Sequence, residues 1–234
     1  MLTQPARLTA RPRPSSPTFI PGAGPRSLRA VSAGQASHHG AMAATYHVRR
    51  AQQDDMPAIL DLIDWSAKWL RECKNTDQWS SPWPDEDARN LRVAQGIDAG
   101  LTWMVRDDQG SLAGTVTCRD QGSPKLWRTA ELRQPAVYVS RLIVARDQAG
   151  RGIGAALIDW AGQRGARRWG ARWIRVDVWT TNLALHAYYK RTGFTHLRTL
   201  KFADNWEYPS AALFQKPTGG IDPLSVGRFV EGGA

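Results

Sequence analysis

A chain of 234 residues with 42% hydrophobic and 22% charged positions has the composition of one globular domain with or without tails. Its two cysteines, Cys73 and Cys118, exclude a disulfide scaffold and a multi-cysteine zinc site, and by default they place the chain in a reducing, cytoplasmic compartment. The net charge of +10 is uneven: half of the excess sits in the first 43 residues, and no recognition motif accompanies it, which argues against nucleic acid as a partner.

Residues 1–43 hold six of the 14 prolines, five arginines and no acid, and show neither a helical nor a strand period. They read as a disordered leader. The Arg-rich, Ser-containing composition is similar to that of a mitochondrial transit peptide, but Pro12, Pro14, Pro17, Pro21 and Pro25 spoil an amphipathic helix. The other reading is an extension upstream of a start at Met42. No run approaches the ~18 apolar residues of a membrane span.

Structure is expected from Ala44 onward. Residues 45–49 read as a strand. Asp54 and Asp55 supply an N-cap, Pro57 suits a first helical turn, and Ile59, Leu60, Leu62, Ile63, Leu70 and Cys73 recur at helical spacing, so 55–73 is an amphipathic helix. Residues 74–85 form a loop, and 85–97 a second helix ending near Gly100. Strands at 101–106 and 111–118 flank Asp107-Asp108-Gln109-Gly110, a hairpin turn. A long polar loop spans 119–135, followed by a strand at 136–145, a helix at 152–168 stopped by Gly170, and a strand at 173–179. A short helix at 182–191 ends at Gly193, and strands at 195–202 and 208–215 close the domain. The order gives an α/β fold, a mixed sheet with helices on its faces, over residues 44–216. The Gly-rich residues 217–234 read as a flexible tail.

Chemistry concentrates where the 136–145 strand gives way to a helix through Gly150-Arg151-Gly152-Ile153-Gly154-Ala155. Glycines bring backbone close to a ligand, and free N–H groups at a helix start attract phosphate, so a pyrophosphate-bearing cofactor is the physical inference. Two cofactors fit. Gly150-x-Gly152-x-x-Ala155 matches the dinucleotide fingerprint, with Asp177 placed where a ribose-binding acid would stand. Against it, the charged run Arg146-Asp147-Gln148 separates strand from glycines, and several strands precede it.

The other reading uses more of the chain. Ala149-Gly150-Arg151-Gly152-Ile153-Gly154 resembles the acetyl-CoA loop R/Q-x-x-G-x-G/A of the GNAT family of N-acetyltransferases, with Ala149 departing from the family Arg/Gln and Gln148 standing one place early. Asn182-Leu-Ala-Leu-His-Ala-Tyr188-Tyr189-Lys-Arg-Thr-Gly193-Phe194 resembles the second block N-x-x-A-x-x-x-Y-x-x-x-G-F, with Leu185 in place of alanine. The two blocks stand in family order, and the resemblance covers about residues 45–216.

The resemblance implies a GNAT-like acyl-CoA N-acyltransferase fold of about seven strands with helices on both faces, acting as a monomer or homodimer. It implies acetyl-CoA as co-substrate, entering between the strands that flank the glycine-loop helix. The backbone of Leu142, Ile143 and Val144 would hold the pantetheine arm and polarise the thioester carbonyl. Amides of Gly150, Arg151, Gly152, Ile153, Gly154 and Ala155 would hold the pyrophosphate, with Arg146 and Arg151 as charged contacts. Tyr189 takes the general-acid position, and Tyr188 reads as core. Asn182 would touch the pantetheine or cap its helix. Asp177 would be the general base or a buried partner of an arginine. His186 reads as a surface residue.

The resemblance implies an acceptor side built by the first two helices, their loop and the loop before the glycine strand, which carry Trp65, Trp69, Trp79, Trp83 and Trp127, with the acids Asp85, Glu86 and Asp87 nearby. These could receive an ammonium group, on a small amine or a protein, or they could be core and helix-start residues. His38, His39, His47, His186 and His196 show no metal-ligand spacing, and serine-hydrolase and P-loop motifs are missing. The expected activity is acetyl-CoA-dependent N-acetylation of a primary amine. A non-catalytic acyl-CoA sensor and a dinucleotide-dependent oxidoreductase are the alternatives.

Overall fold

The computed structural model describes residues 44–74, 76–202 and 209–232, all within the unit Met42–Ala234. The chain runs β1 (Tyr46–Arg50), α1 (Met56–Cys73), α2 (Glu86–Asp98), β2 (Thr102–Asp107), β3 (Leu112–Arg119), α3 (Thr129–Leu132) and β4 (Ala136–Val144). It continues through α4 (Ile153–Trp169), β5 (Trp173–Val178), α5 (Leu183–Arg191), β6 (Thr195–Thr199), β7 (Ala212–Pro217), α6 (Pro223–Val226) and β8 (Phe229–Glu231). The strands form one mixed sheet in the order β6-β7-β5-β4-β3-β2-β1-β8.

Local chemistry fixes the elements. Pro57 opens α1, whose buried Ile59, Ile63, Ala67 and Leu70 make one stripe. The Asp85 carboxylate caps α2 by accepting from the Ala88 N–H at 2.8 Å. Asp107 organises the β2–β3 turn, accepting from the N–H groups of Gln109 at 3.0 Å and Ser111 at 2.9 Å. Gly170, at φ 64°, ends α4 as expected.

The core has two layers. On one face, Leu157, Ile158, Trp160 and Ala161 of α4 pack on Trp103, Val137, Val139, Ile174 and Val176. On the other, Ile59 and Ile63 of α1 and Val93 and Ile97 of α2 cover Met104 and Ile143. Each of the Leu, Ile, Val and Met side chains contributes about 1.5–3 kcal/mol on burial. The crossover β4-α4-β5 joins two parallel neighbours and is the unit that positions the site.

Three expectations are corrected. Residues 217–234 do not all form a loose tail: α6 packs on α4, and β8 pairs in parallel with β1, Tyr46 opposite Phe229. Val226 and Phe229 anchor this segment in the α4 core, and with β8 the sheet has eight strands among the described residues, where about seven are expected. The polar loop 119–135 contains α3 and buries Leu126 and Trp127. The leader over residues 1–43, with Met42, lies outside the described residues, as does the start of the strand expected at 208–215. No helix among the described residues is long and apolar enough to cross a membrane.

Two ion pairs are expected to make the fold acid-sensitive. Arg49 holds Asp55 at 2.6 Å, and Arg198 holds Glu131 at 2.6 Å. In each case the arginine hydrogen bond is the main cause that lowers the carboxylate below its ordinary value of 3.8 or 4.5. A lowered folded-state value stabilises at pH above the unfolded value and is lost as pH falls through the folded one. The melting temperature is therefore expected to fall as pH drops below 4.5, with Asp55→Asn less stable at pH 7 but flatter in acid. Thermal unfolding from pH 7 to 3 checks this, and an identical pH slope in the variant would remove Asp55 from the account.

Candidate active site

The strand pair flanking α4 opens into a wedge. β4 and β5 are paired only over Ala136–Trp173, Val137–Ile174 and Tyr138–Arg175, after which they separate. The cause lies on the other side of β4. The β3–β4 register shifts between Thr115 and Thr117, so Arg141 and Leu142 together face a single β3 residue, and Arg141 takes φ 46°. This bulge bends β4 away from β5. Gly114 lets β3 approach, because a Cβ there would collide with the Ile143 carbonyl. Beyond Tyr138, the β5-facing edge of β4 has no strand partner among the described residues, which leaves Leu142, Ile143 and Val144 on an open edge. Leu142 and Val144 are half-buried and Ile143 is buried.

The wedge ends at the glycine loop. Gly150 and Gly152 have φ of 82° and 73°, in the left-handed region that favours glycine. The first helical bond of α4 runs from Ala156 N–H to the Gly152 carbonyl at 3.1 Å. The six preceding N–H groups, of Gly150, Arg151, Gly152, Ile153, Gly154 and Ala155, make no hydrogen bond within the described chain. A row of free donors at a helix N-terminus fits a pyrophosphate. A Cβ on Gly150 would meet nothing within 4 Å, so the loop is open to a ligand.

The polar side chains before the loop turn elsewhere. Gln148 is buried, and its Nε2 donates to Asp107 Oδ2 at 3.2 Å, while Ala149 has no polar group. Arg146 lies 3.8 Å from the Trp69 ring centroid, joining the loop to the end of α1. Arg151 is exposed.

The two tyrosines of α5 reverse the expected order of exposure. Tyr189 is 7% exposed and sits edge-on to Phe194 at 5.1 Å and near Phe214 at 6.0 Å. Burial, then neighbouring Tyr188 and Asp177, push its phenol well above the usual range, so it stays protonated. Tyr188, expected in the core, is half-buried, and its Oη lies 3.0 Å from where a Cβ on Gly154 would stand. Asp177 is half-buried on β5, opposite Leu213, with Val176 and Val178 pointing to the α4 layer. Strand alternation therefore turns Asp177 to the sheet face opposite α4, where its cross-strand neighbour Leu213 packs with Leu126 and Trp127.

Asn182 is committed on both ends of its amide. Its Oδ1 caps α5 by accepting from Leu185 N–H at 2.9 Å, and its Nδ2 donates to Gln78 Oε1 at 2.6 Å. Asp77 accepts from Trp179 Nε1 at 2.8 Å and from Thr181 Oγ1, which holds its carboxyl below the ordinary value. Residues 76–78 are thus tied to 179–182 across the mouth of the wedge. Sequence reading missed this tie, since the partners lie 102 to 105 positions apart. Asp77→Asn is expected to leave the fold intact, weaken the tie and, under the function proposed below, raise the acceptor KM several-fold with kcat/KM for acetyl-CoA little changed. Steady-state kinetics against each substrate checks this, and an unchanged acceptor KM would detach Asp77 from the acceptor side.

Among the tryptophans, Trp65 is 63% exposed, Trp69 is half-buried, and Arg92 lies over Trp83 at 5.4 Å. Trp127 is buried, edge-on to Tyr138 at 5.5 Å. Asp85 is a helix cap and Glu86 pairs with Arg89, so these acids serve α2 locally. His186 is no surface residue: its ring is half-buried, meets the Trp179 carbonyl at 2.9 Å and stacks on His196. No cluster of metal-binding side chains occurs among the described residues.

A bulged strand splayed from its parallel neighbour, with a free-donor glycine loop at the wedge's end, is a geometry suited to a ligand that carries a pyrophosphate. Comparisons place it further. The family model described as Acetyltransferase (GNAT) family matches residues 66–194. An N-acetyltransferase of Bacillus subtilis (strain 168), YesJ, itself uncharacterized, is 30% identical over 148 residues, 62% of this chain and 78% of that protein. A GNAT-family acetyltransferase structure from Listeria monocytogenes 4b F2365 aligns with TM-score 0.57 and 28% identity, covering 74% of this chain and 94% of the other. The PaiA N-acetyltransferase of Thermoplasma acidophilum, solved in complex with coenzyme A, shares the fold at TM-score 0.54 and 15% identity over 74% and 99% of the two chains. The chain belongs to the GNAT family of acetyltransferases. The dinucleotide reading of the glycine loop is thereby set aside.

Proposed function

We propose that the protein transfers an acetyl group from acetyl-CoA to a primary amine whose ammonium form is received between α1, α2 and the open edge of β4. The observation that carries this is the wedge between β4 and β5, closed at one end by six unpaired N–H groups. Acetyl-CoA supplies the acyl group as an activated thioester. The backbone of Leu142, Ile143 and Val144 binds the pantetheine arm, and an N–H of this edge stabilises negative charge developing on the thioester oxygen. Residues 150–155 bind the pyrophosphate. Asp177, on the sheet face opposite α4, accepts a proton from the amine, directly or through water. Tyr189 Oη holds the proton that goes to the departing thiolate.

A second assignment of the proton donor is favoured by one observation: the Tyr188 hydroxyl, not that of Tyr189, stands beside Gly154. Comparing the two phenylalanine variants decides between them. For the function itself, thermal shift with acetyl-CoA, CoA, NAD and NADP is expected to show stabilisation by the first two alone. Thiol release across a panel of polyamines, amino acids and peptide N-termini is then expected to select one amine class. Stabilisation by NAD or NADP instead, or no thiol release with any amine, would overturn the proposal.

A further inference from the structure

Arg228 lies in the turn between α6 and β8, in the segment beyond the family match. Its main chain is fixed by the sheet, the Arg228 carbonyl accepting from Tyr46 N–H at 2.8 Å. Its guanidinium lies 5.4 Å from the Tyr46 ring centroid. Nη1 donates to the Arg151 carbonyl at 3.0 Å and stands 3.7 Å from where a Cβ on Gly152 would lie. Nε is buried without a hydrogen-bond partner, and no carboxylate among the described residues forms an ion pair with this arginine. A half-buried cation is thus held against the glycine loop without a counter-ion.

The loop lacks a charge of its own at the matching place. Ala149 replaces the Arg or Gln of the R/Q-x-x-G-x-G/A pattern, and Gln148 is drawn inward to Asp107. A guanidinium presents several N–H donors in a fixed fork suited to phosphate, and one bond to a carbonyl leaves the others available. We infer that Arg228 supplies from the C-terminal segment the cationic contact to the pyrophosphate of acyl-CoA that residue 149 does not. The inference rests on the acyl-CoA reading of the loop. It gives the pairing of β8 with β1 a role in the site, because that pairing fixes the backbone from which Arg228 reaches the loop.

Arg228→Gln keeps an N–H donor for the Arg151 carbonyl and removes the charge, whereas Arg228→Lys keeps the charge. Calorimetric titration with CoA and with 3′-dephospho-CoA separates the phosphates. The Gln variant is expected to bind both about tenfold more weakly, with a shallower dependence of Kd on salt and an unchanged melting temperature. The Lys variant is expected to recover most of the loss. Equal affinity in Arg228→Gln and wild type would overturn the inference. A loss confined to CoA would move the contact to the 3′-phosphate and overturn the pyrophosphate assignment. A loss that lysine does not restore, at unaltered salt dependence, would reduce Arg228 to a support for the Arg151 carbonyl. Failure of wild type to bind either compound would bring down the acyl-CoA reading itself, a result distinct from the others.

Discussion

Gly154→Asp is expected to weaken acetyl-CoA binding at least ~100-fold while the domain stays folded, the former because it sets a charge against the bound diphosphate. Gly154 is the second residue of α4, its N–H one of the six free donors. A Cβ there would stand 3.0 Å from Tyr188 Oη, 3.7 Å from Val144 Cγ2 and 3.8 Å from Leu142 Cδ2. The tightest neighbour is the tip of a half-buried side chain, which can shift by a few tenths of an ångström. An aspartate in the first turn of a helix is otherwise favourable, so the fold is expected to tolerate it. Titration of the folded variant with acetyl-CoA reads the result, and wild-type affinity would show that the phosphates lie elsewhere.

Tyr189→Phe is expected to lower kcat by ~10²-fold, about 2.7 kcal/mol of transition-state stabilisation, with KM for acetyl-CoA little changed. The substitution removes one oxygen from a ring packed among Phe194 and Phe214 and leaves the packing intact. Because its phenol is pushed above the ordinary value of 10.0, the acid form persists past pH 10, and kcat should show no alkaline fall from this group between pH 7 and 10. Tyr188→Phe is the paired measurement. A larger kcat loss there than in Tyr189→Phe would transfer the proton-donor role to the tyrosine beside Gly154.

That pair of tyrosines shows where sequence stops being informative. The helix at 183–191 and its family block are legible from spacing, but two adjacent residues on a nine-residue helix point about 100° apart. Which of them faces the wedge depends on how α5 sits on β7. The β4 bulge is likewise silent in the sequence. Ser140-Arg141-Leu142 reads as ordinary strand, and the positive φ of Arg141 is imposed by the match to β3 and by the missing side chain of Gly114. The glycine loop, by contrast, was fully visible, because its chemistry is local: donors at a helix start need only glycines and a following apolar period. The C-terminal segment misled in the opposite sense. Its glycines mask Val226 and Phe229, two apolar anchors too widely spaced to give a period. Gln78 and Asp77 could not be found at all, since their partners depend on the whole sheet lying between them.

The bonds from residues 76–78 to residues 179–182 bear on how this enzyme can be re-engineered. The connection between α1 and α2, which under the proposed function borders the acceptor, shares hydrogen bonds with the entry to α5, which carries both tyrosines. Loop transplantation from another acetyltransferase would therefore strand Asn182 without Gln78, a buried amide left with an unanswered donor. Chimeras that exchange 74–85 and 179–182 together would keep that amide paired, so under the proposed function the two segments are best exchanged as one cassette when the choice of amine is to be changed.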